Sequence, residues 1–139
     1  MSLFLPFQRA TLLIPSASES DSERKHLFIL LTNPHPNPES NIKSVLLVSI
    51  STLKPNLPYD PACKLFKSDH PFIKDDSYVQ YRLARIETAD KLIKGVSEGI
   101  FKHKETLEGD IFARVCHGLT ESRFTAPAIL RFYEAATAA

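Results

Sequence analysis

Basic and hydroxyl side chains occur together at the ends of two segments that the sequence predicts to be buried strands. Arg24, Lys25 and His26 lie where the first strand begins, and Ser51 and Thr52 lie where the second ends. An imidazole can exchange a proton near neutral pH, and cations stabilise negative charge on a reacting phosphate. We expect these side chains to meet at the mouth of a barrel-like sheet. The structural alternative for His26 is a histidine that hydrogen-bonds backbone at the start of a strand.

A second cluster contains Cys63, Asp69 and His70 and is bordered by prolines. A cysteine and a histidine can form a nucleophile and its base, and both are zinc ligands. A structural zinc site takes four ligands, however, and no second pair at a suitable spacing follows this one. We therefore predict no metal site here. A Cys-dependent hydrolase and a turn that contains a buried thiol both remain open interpretations.

The elements that must position these residues are predicted to be short strands followed by helices. Seven of the ten prolines fall within residues 34–71, which excludes a long helix before residue 85. Continuous apolar runs are typical of strands buried on both faces, and apolar residues spaced by four predict an amphipathic helix. The predicted strands are 10–14, 26–32, 44–51, 63–66 and 77–86, and the predicted helices are 104–119 and 126–135.

These elements predict one α+β domain over residues 1–139, with a β-rich barrel at 8–86 and a helical region at 87–137. The strands follow one another without helical crossovers, so we expect a small antiparallel barrel with the C-terminal helices packed on it.

Composition excludes several classes of protein. Two cysteines are too few for a disulfide scaffold. No apolar run reaches the ~20 residues of a membrane span, so we expect a cytoplasmic chain without membrane contact. All four glycines follow residue 94, which excludes a glycine-rich phosphate loop before that point, and we expect no cofactor. The net charge of +1 neither favours nor excludes a nucleic-acid partner.

The segment DSYVQYRLARIETADKL (76–92) resembles one strip of the PemK/MazF toxin family. In that strip an Asp-Ser-Val strand leads into an Arg-Thr-Ile-Asp turn and an Arg-Leu pair, and five residues fall in register with it without a gap: Asp76, Ser77, Val79, Arg85 and Leu92. HLFILLT and VLLVSIS resemble the family's two central strands. The resemblance covers about residues 8–120. It implies an SH3-like barrel that forms a homodimer, cleaves single-stranded RNA without metal and is blocked by an antitoxin protein.

Metal-free RNA cleavage needs a base for the 2′-hydroxyl, an acid for the leaving oxygen and a cation for the phosphorane. With the implied barrel, this chemistry assigns catalysis to His26, Ser51 and Arg82, and RNA binding to Arg24, Lys25, Thr52 and Gln80. Arg82 and Arg85 are an odd number of positions apart on one predicted strand. They are expected on opposite faces, with one of them an ion-pair partner.

The chain departs from the family pattern at two places that bear on catalysis. The family's acidic residue would lie near Gln80 and Arg82, where no acid is present. The arginine-proline pair that opens the family's central strand is replaced by Lys25 and His26. The alternative function is therefore a non-catalytic SH3-like barrel that binds a protein or a nucleic acid.

Overall fold

The computed structural model describes residues 3–15 and 25–138, so the predicted RNA-binding residue Arg24 lies outside the described residues. Within these ranges the chain forms seven strands and three α-helices. The strands are β1 (Thr11–Pro15), β2 (Lys25–Leu30), β3 (His35–Pro36), β4 (Lys43–Thr52), β5 (Lys64–Leu65), β6 (Ser77–Thr88) and β7 (Lys102–Lys104). The helices are α1 (Ala89–Ser97), α2 (Gly109–Glu121) and α3 (Pro127–Thr137).

The strands form one sheet in the order β5-β6-β4-β2-β1-β7, and β3 pairs with the beginning of β4. Every strand pair in the described ranges is antiparallel. The predicted α+β class with an antiparallel sheet and helices packed on it is therefore confirmed. None of the helices in the described part of the chain has the length and apolar character that a membrane crossing requires.

The central strands are buried on both faces because their apolar residues alternate between two cores. Leu27 and Ile29 of β2 join the core that contains residues of α2 and α3, whereas Phe28 and Leu30 join the core that contains residues of α1. Burying each such side chain stabilises the fold by roughly 1.5–3 kcal/mol. This alternation between two apolar layers explains why β2 and β4 are continuous apolar runs in the sequence.

An irregularity in β6 changes which of its residues share a face. Ser49 of β4 pairs with Gln80 and Leu47 pairs with Arg85, so Val48 alone stands opposite four residues of β6. The extra residues place Gln80 and Arg85 on the same face, although an odd number of positions separates them. The strict alternation expected over residues 77–86 does not continue across this bulge.

The structure between residues 87 and 108 differs from the sequence-based elements. Helix α1 follows β6 directly, because the Thr88 hydroxyl accepts a hydrogen bond from the Lys91 N–H and caps the helix. Strand β7 lies inside the predicted helical region and pairs with β1, although Lys-His-Lys has no apolar alternation. The helix expected at 104–119 begins only at Gly109, since Lys104 is held in the sheet opposite Thr11. The predicted boundary between a β-rich region at 8–86 and a helical region at 87–137 is therefore wrong, because β7 lies within the second region.

Candidate functional site

The ends of β2 and β4 and the beginning of β6 enclose a cleft of about 360 Å³, which we call the strand-end cleft. Four of the residues predicted to form the site line it: Lys25, His26, Ser51 and Thr52. The other lining residues are Leu27, Ile50, Lys54, Phe72, Ile73, Lys74, Asp75 and Ser77.

The strand-end cleft opens where the ladder between β2 and β4 stops. The last pair of this ladder toward the cleft is Phe28 with Ser49. Continued by two residues, the same register would set His26 directly opposite Ser51. Outer neighbours still hold both strands at this level, since β1 pairs with β2 at His26 and β6 pairs with β4 at Ser51. His26 and Ser51 therefore lie on two separately supported strand ends that border the same cleft.

The charge of the cleft favours an anionic ligand. Its described lining residues include three lysines and one acid: Lys25, Lys54, Lys74 and Asp75. An excess of cations around a concave surface raises the local concentration of anions. The Ser77 hydroxyl donates to the backbone carbonyl of Asp75 at 2.8 Å and is already engaged. Ser51 and Thr52 add two further hydroxyl groups to the lining of the cleft.

A second depression of about 360 Å³ runs along β6, and we call it the edge groove. It is accessible because β5 pairs with β6 only at Ser77 and Tyr78. The predicted site residues Gln80 and Arg82 lie here and not in the strand-end cleft, so Arg82 does not join His26. The lining comprises Pro58, Tyr59, Asp60, Tyr78, Gln80, Tyr81, Arg82, Leu83 and Phe124.

The two arginines of β6 have different surroundings. The guanidinium carbon of Arg82 lies 4.4 Å from the ring centre of Phe124, a cation–π contact. The guanidinium carbon of Arg85 lies 4.7 Å from the ring centre of Phe28, which belongs to the core on the α1 side. The Arg85 Nε also lies 3.8 Å from a carboxylate oxygen of Glu87. Arg85 is thus the ion-pair partner of the two, and Arg82 faces the groove.

The strand-end cleft and the edge groove adjoin along the ladder between β4 and β6. Ser51 of the cleft and Tyr78 of the groove are directly opposed residues of this ladder. Two pairs further along this ladder, the Ser49 hydroxyl donates to the Gln80 side-chain oxygen at 2.9 Å. Directly opposed residues carry side chains on the same face, with Cβ atoms about 5 Å apart. An extended ligand can therefore contact both depressions.

The contacts of Cys63 and His70 are structural and not catalytic. The His70 Nε2 lies 2.8 Å from the carbonyl oxygen of Glu105, and its Nδ1 accepts a hydrogen bond from the Phe72 N–H at 3.0 Å. Both ring nitrogens are engaged with backbone, so neither is placed to take a thiol proton. Burial raises the pKa of the Cys63 thiol, although the Arg114 charge opposes the shift. A buried protonated thiol is a poor nucleophile.

Several lining residues were not among the residues predicted from the sequence, and they come from irregular segments. Lys54, Lys74 and Tyr59 lie between β4 and β6, where a hydrogen bond from the Leu53 N–H to the Asp76 carbonyl (2.9 Å) closes the chain back on itself. The positive charge of Lys54 and Lys74 is visible in the sequence. The course of the irregular backbone that brings both residues to the cleft is not. Within the described ranges, no three His, Cys, Asp or Glu residues lie close enough together to hold a metal ion.

No model of a known protein family matches the chain. No curated protein matches it at a significant level.

Proposed function

We propose that this chain is a metal-independent endoribonuclease that cleaves single-stranded RNA in the strand-end cleft, as the toxin of a toxin–antitoxin system. The observation that carries the proposal is that His26 and Ser51 line one cleft, which also holds three lysines. An acid–base imidazole, hydroxyl donors and cations are the groups that phosphoester cleavage without metal requires. The resemblance of residues 76–92 to the PemK/MazF strip supports the toxin role.

In the proposed reaction His26 takes the proton of the ribose 2′-hydroxyl, and the 2′-oxygen forms a bond to the adjacent phosphorus. The bond from phosphorus to the 5′-oxygen breaks, and that oxygen takes a proton from a lysine ammonium of the cleft. The products are a 2′,3′-cyclic phosphate and a 5′-hydroxyl. Lys25 and the hydroxyls of Ser51 and Thr52 stabilise the negative charge on the phosphorane oxygens.

The same proposal takes the antiparallel sheet as an SH3-like barrel and the chain as a divergent PemK/MazF-like toxin. It acts in the cytoplasm as a homodimer, and an antitoxin protein blocks it. Gln80 and Arg82 bind RNA in the adjoining groove, Lys25 binds it at the cleft, and Arg24, which lies outside the described residues, is a further RNA-binding residue. Expression of the chain alone is then expected to arrest growth.

The test is incubation of the purified chain with an end-labelled single-stranded RNA in EDTA. We expect shortened products with cyclic phosphate ends. His26→Gln is expected to slow cleavage by about 100-fold or more, because it removes the acid–base group. The matched control is His117→Gln, which changes an exposed histidine on α2 that lies 3.8 Å from Glu121. RNA that stays intact with the unaltered chain, or a His26→Gln variant of full activity, would contradict the proposal.

A second candidate function is a non-catalytic module on the same sheet that binds RNA or protein. The observation that favours it is the separation of Arg82 from the strand-end cleft, because the described lining then contains no arginine beside His26. This candidate predicts that the chain binds a single-stranded RNA and leaves it uncut. Cleavage that depends on His26 would eliminate it.

A further inference from the structure

Aromatic rings line the edge groove, whereas lysines line the strand-end cleft. The rings of Tyr59 and Tyr78 have centres 5.5 Å apart and planes tilted by 47°, so they are not stacked face to face, and the Lys64 ammonium lies 5.8 Å from the centre of the Tyr59 ring. Tyr59 is 38% exposed, and Phe124 lies in the same groove against the Arg82 guanidinium. Accessible rings and guanidinium planes are the surfaces on which unpaired nucleobases stack.

A carboxylate in the groove favours a base over a phosphate as the ligand. Asp60 lines the groove and is nearly buried, and its two oxygens accept hydrogen bonds from the Ala62 N–H (3.0 Å) and the Ser122 hydroxyl (2.6 Å). A carboxylate held in place repels a phosphate group, but not a neutral base. The Gln80 oxygen accepts from Ser49, so the Gln80 amide nitrogen can donate to the edge of a base.

The edge groove lies beside the proposed site of cleavage. Tyr78 stands opposite Ser51 in the ladder between β4 and β6, so the groove begins about 5 Å from the hydroxyl side of the strand-end cleft. A nucleotide whose phosphate lies at Ser51 can place its own base, or the next one, against Tyr78. The lysines of the cleft would then bind the RNA phosphates, and the aromatic rings of the groove would stack on an unpaired base.

We infer that the edge groove is a base-binding subsite for the nucleotide next to the cleaved phosphate, with Tyr78 and Tyr59 as the stacking surface and Gln80 as the contact to the base edge. This inference rests on the proposed function for its substrate, single-stranded RNA. It assigns cleavage to one depression and recognition of the neighbouring base to the other.

The experiment measures binding separately from cleavage. Fluorescein-labelled heptanucleotides with 2′-O-methyl riboses cannot be cut, and their binding is followed by fluorescence anisotropy. Tyr78→Leu is expected to weaken binding about tenfold or more, because the stacking surface is lost. Tyr78→Phe keeps the ring and is expected to bind nearly as tightly as the unaltered chain. Tyr59→Leu is a second variant at the groove, and Phe7→Leu, at a residue that is 49% exposed and lines neither depression, is the matched control.

A series of the same heptanucleotide with one abasic position at a time identifies the bound base. The unaltered chain should lose affinity mainly at one position, next to the phosphate that is cut in ordinary RNA. At that position Tyr78→Leu should cause little further loss, since the ring and the base act as a pair. An equal loss at every position, a Tyr78→Leu variant that binds normally, or no binding by the unaltered chain would overturn the inference.

The two proposals fail in different ways. Binding that depends on Tyr78, together with RNA that is never cut, would remove the nuclease and keep the base subsite. Cleavage that depends on His26, with equal affinity in the Tyr78 and Tyr59 variants, would remove the subsite and keep the nuclease.

Discussion

The strand-end cleft and the edge groove have equal volumes of about 360 Å³ but are built in different ways. The cleft forms where two central strands end and separate, so its side chains come from strand ends and from the irregular segment before β6. The groove forms along the side of β6, and the buried ring of Tyr81 lies at its base. Strand ends here present charges and hydroxyls, while the sheet edge presents rings supported by a helix. The two sites should therefore respond differently to the same kinds of substitution.

The largest expected contrast is between His26→Gln and Tyr78→Leu in steady-state cleavage. The histidine variant should lower kcat by about 100-fold or more, since it removes the group that moves the proton, and should leave KM nearly unchanged. The tyrosine variant should mainly raise KM, because the lost stacking reduces RNA binding. Rates over a range of RNA concentrations make the distinction. The comparison fails if both variants lower kcat with the same KM.

A second contrast concerns the support of the groove. Gly118 of α2 lies against Tyr81, and a Cβ at position 118 would overlap the Tyr81 hydroxyl. Gly118→Ala should therefore destabilise the fold by about 1–3 kcal/mol, because a buried ring has to shift. Gly109→Ala is the matched control, since nothing lies within 4 Å of a Cβ built there. Urea unfolding of both variants checks this expectation, and equal midpoints would contradict the packing described here.

Much of the strand-end cleft could be predicted from the sequence. The apolar runs at 26–32 and 44–51 predict the strands observed at Lys25–Leu30 and Lys43–Thr52, so the placement of His26 and Ser51 near strand ends follows from local pattern alone. Their meeting at one cleft does not follow from local pattern, because it depends on the register between two strands that are 12 residues apart along the chain. That register is set by long-range packing of both cores.

The edge groove was far less accessible to prediction. Val79, Tyr81 and Leu83 continue the alternation of a regular strand, yet Leu83 is 56% exposed because the bulge turns this part of β6 toward solvent. Tyr59 and Phe124 come from irregular segments far apart in sequence, and only the folded chain brings them to one groove. A bulge has no strong local signal in a single sequence.

A smaller effect on the stability of the fold should appear in alkaline solution. Burial raises the pKa of Tyr81 above its ordinary value, mainly by desolvation, and its hydroxyl donates to the Val115 carbonyl at 2.7 Å. The folded chain therefore keeps this proton above pH ~10, where the unfolded chain releases it. Stability should be unaffected below pH ~10 and should fall as pH rises above it, by at most about 1.4 kcal/mol per pH unit from this group.

Tyr81→Phe tests this expectation because it removes the titrating hydroxyl and keeps the ring. It should cost about 1 kcal/mol at neutral pH through the lost hydrogen bond, and it should weaken the dependence of unfolding on alkaline pH. Tyr133→Phe is the comparison, since burial and a contact with Cys116 raise the pKa of Tyr133 to about 12, so its contribution should be lost between pH ~10 and 12. Identical pH profiles for Tyr81→Phe and the unaltered chain would contradict the assignment.

The smallest effect separates phosphate contacts in the cleft from base contacts in the groove. Each lysine that binds a phosphate of single-stranded RNA contributes about 0.7 to the slope of log affinity against log salt concentration. Lys54→Gln and Lys74→Gln should each reduce that slope by about this amount, roughly a threefold change or less between 50 and 200 mM salt. Tyr78→Leu should lower affinity at all salt concentrations and leave the slope intact, because stacking releases no counterions. Lys94→Gln on α1, whose ammonium pairs with Glu98 at 3.9 Å, is the control. A slope that falls in the tyrosine variant, or stays constant in both cleft lysine variants, would mean that the backbone does not run through the strand-end cleft.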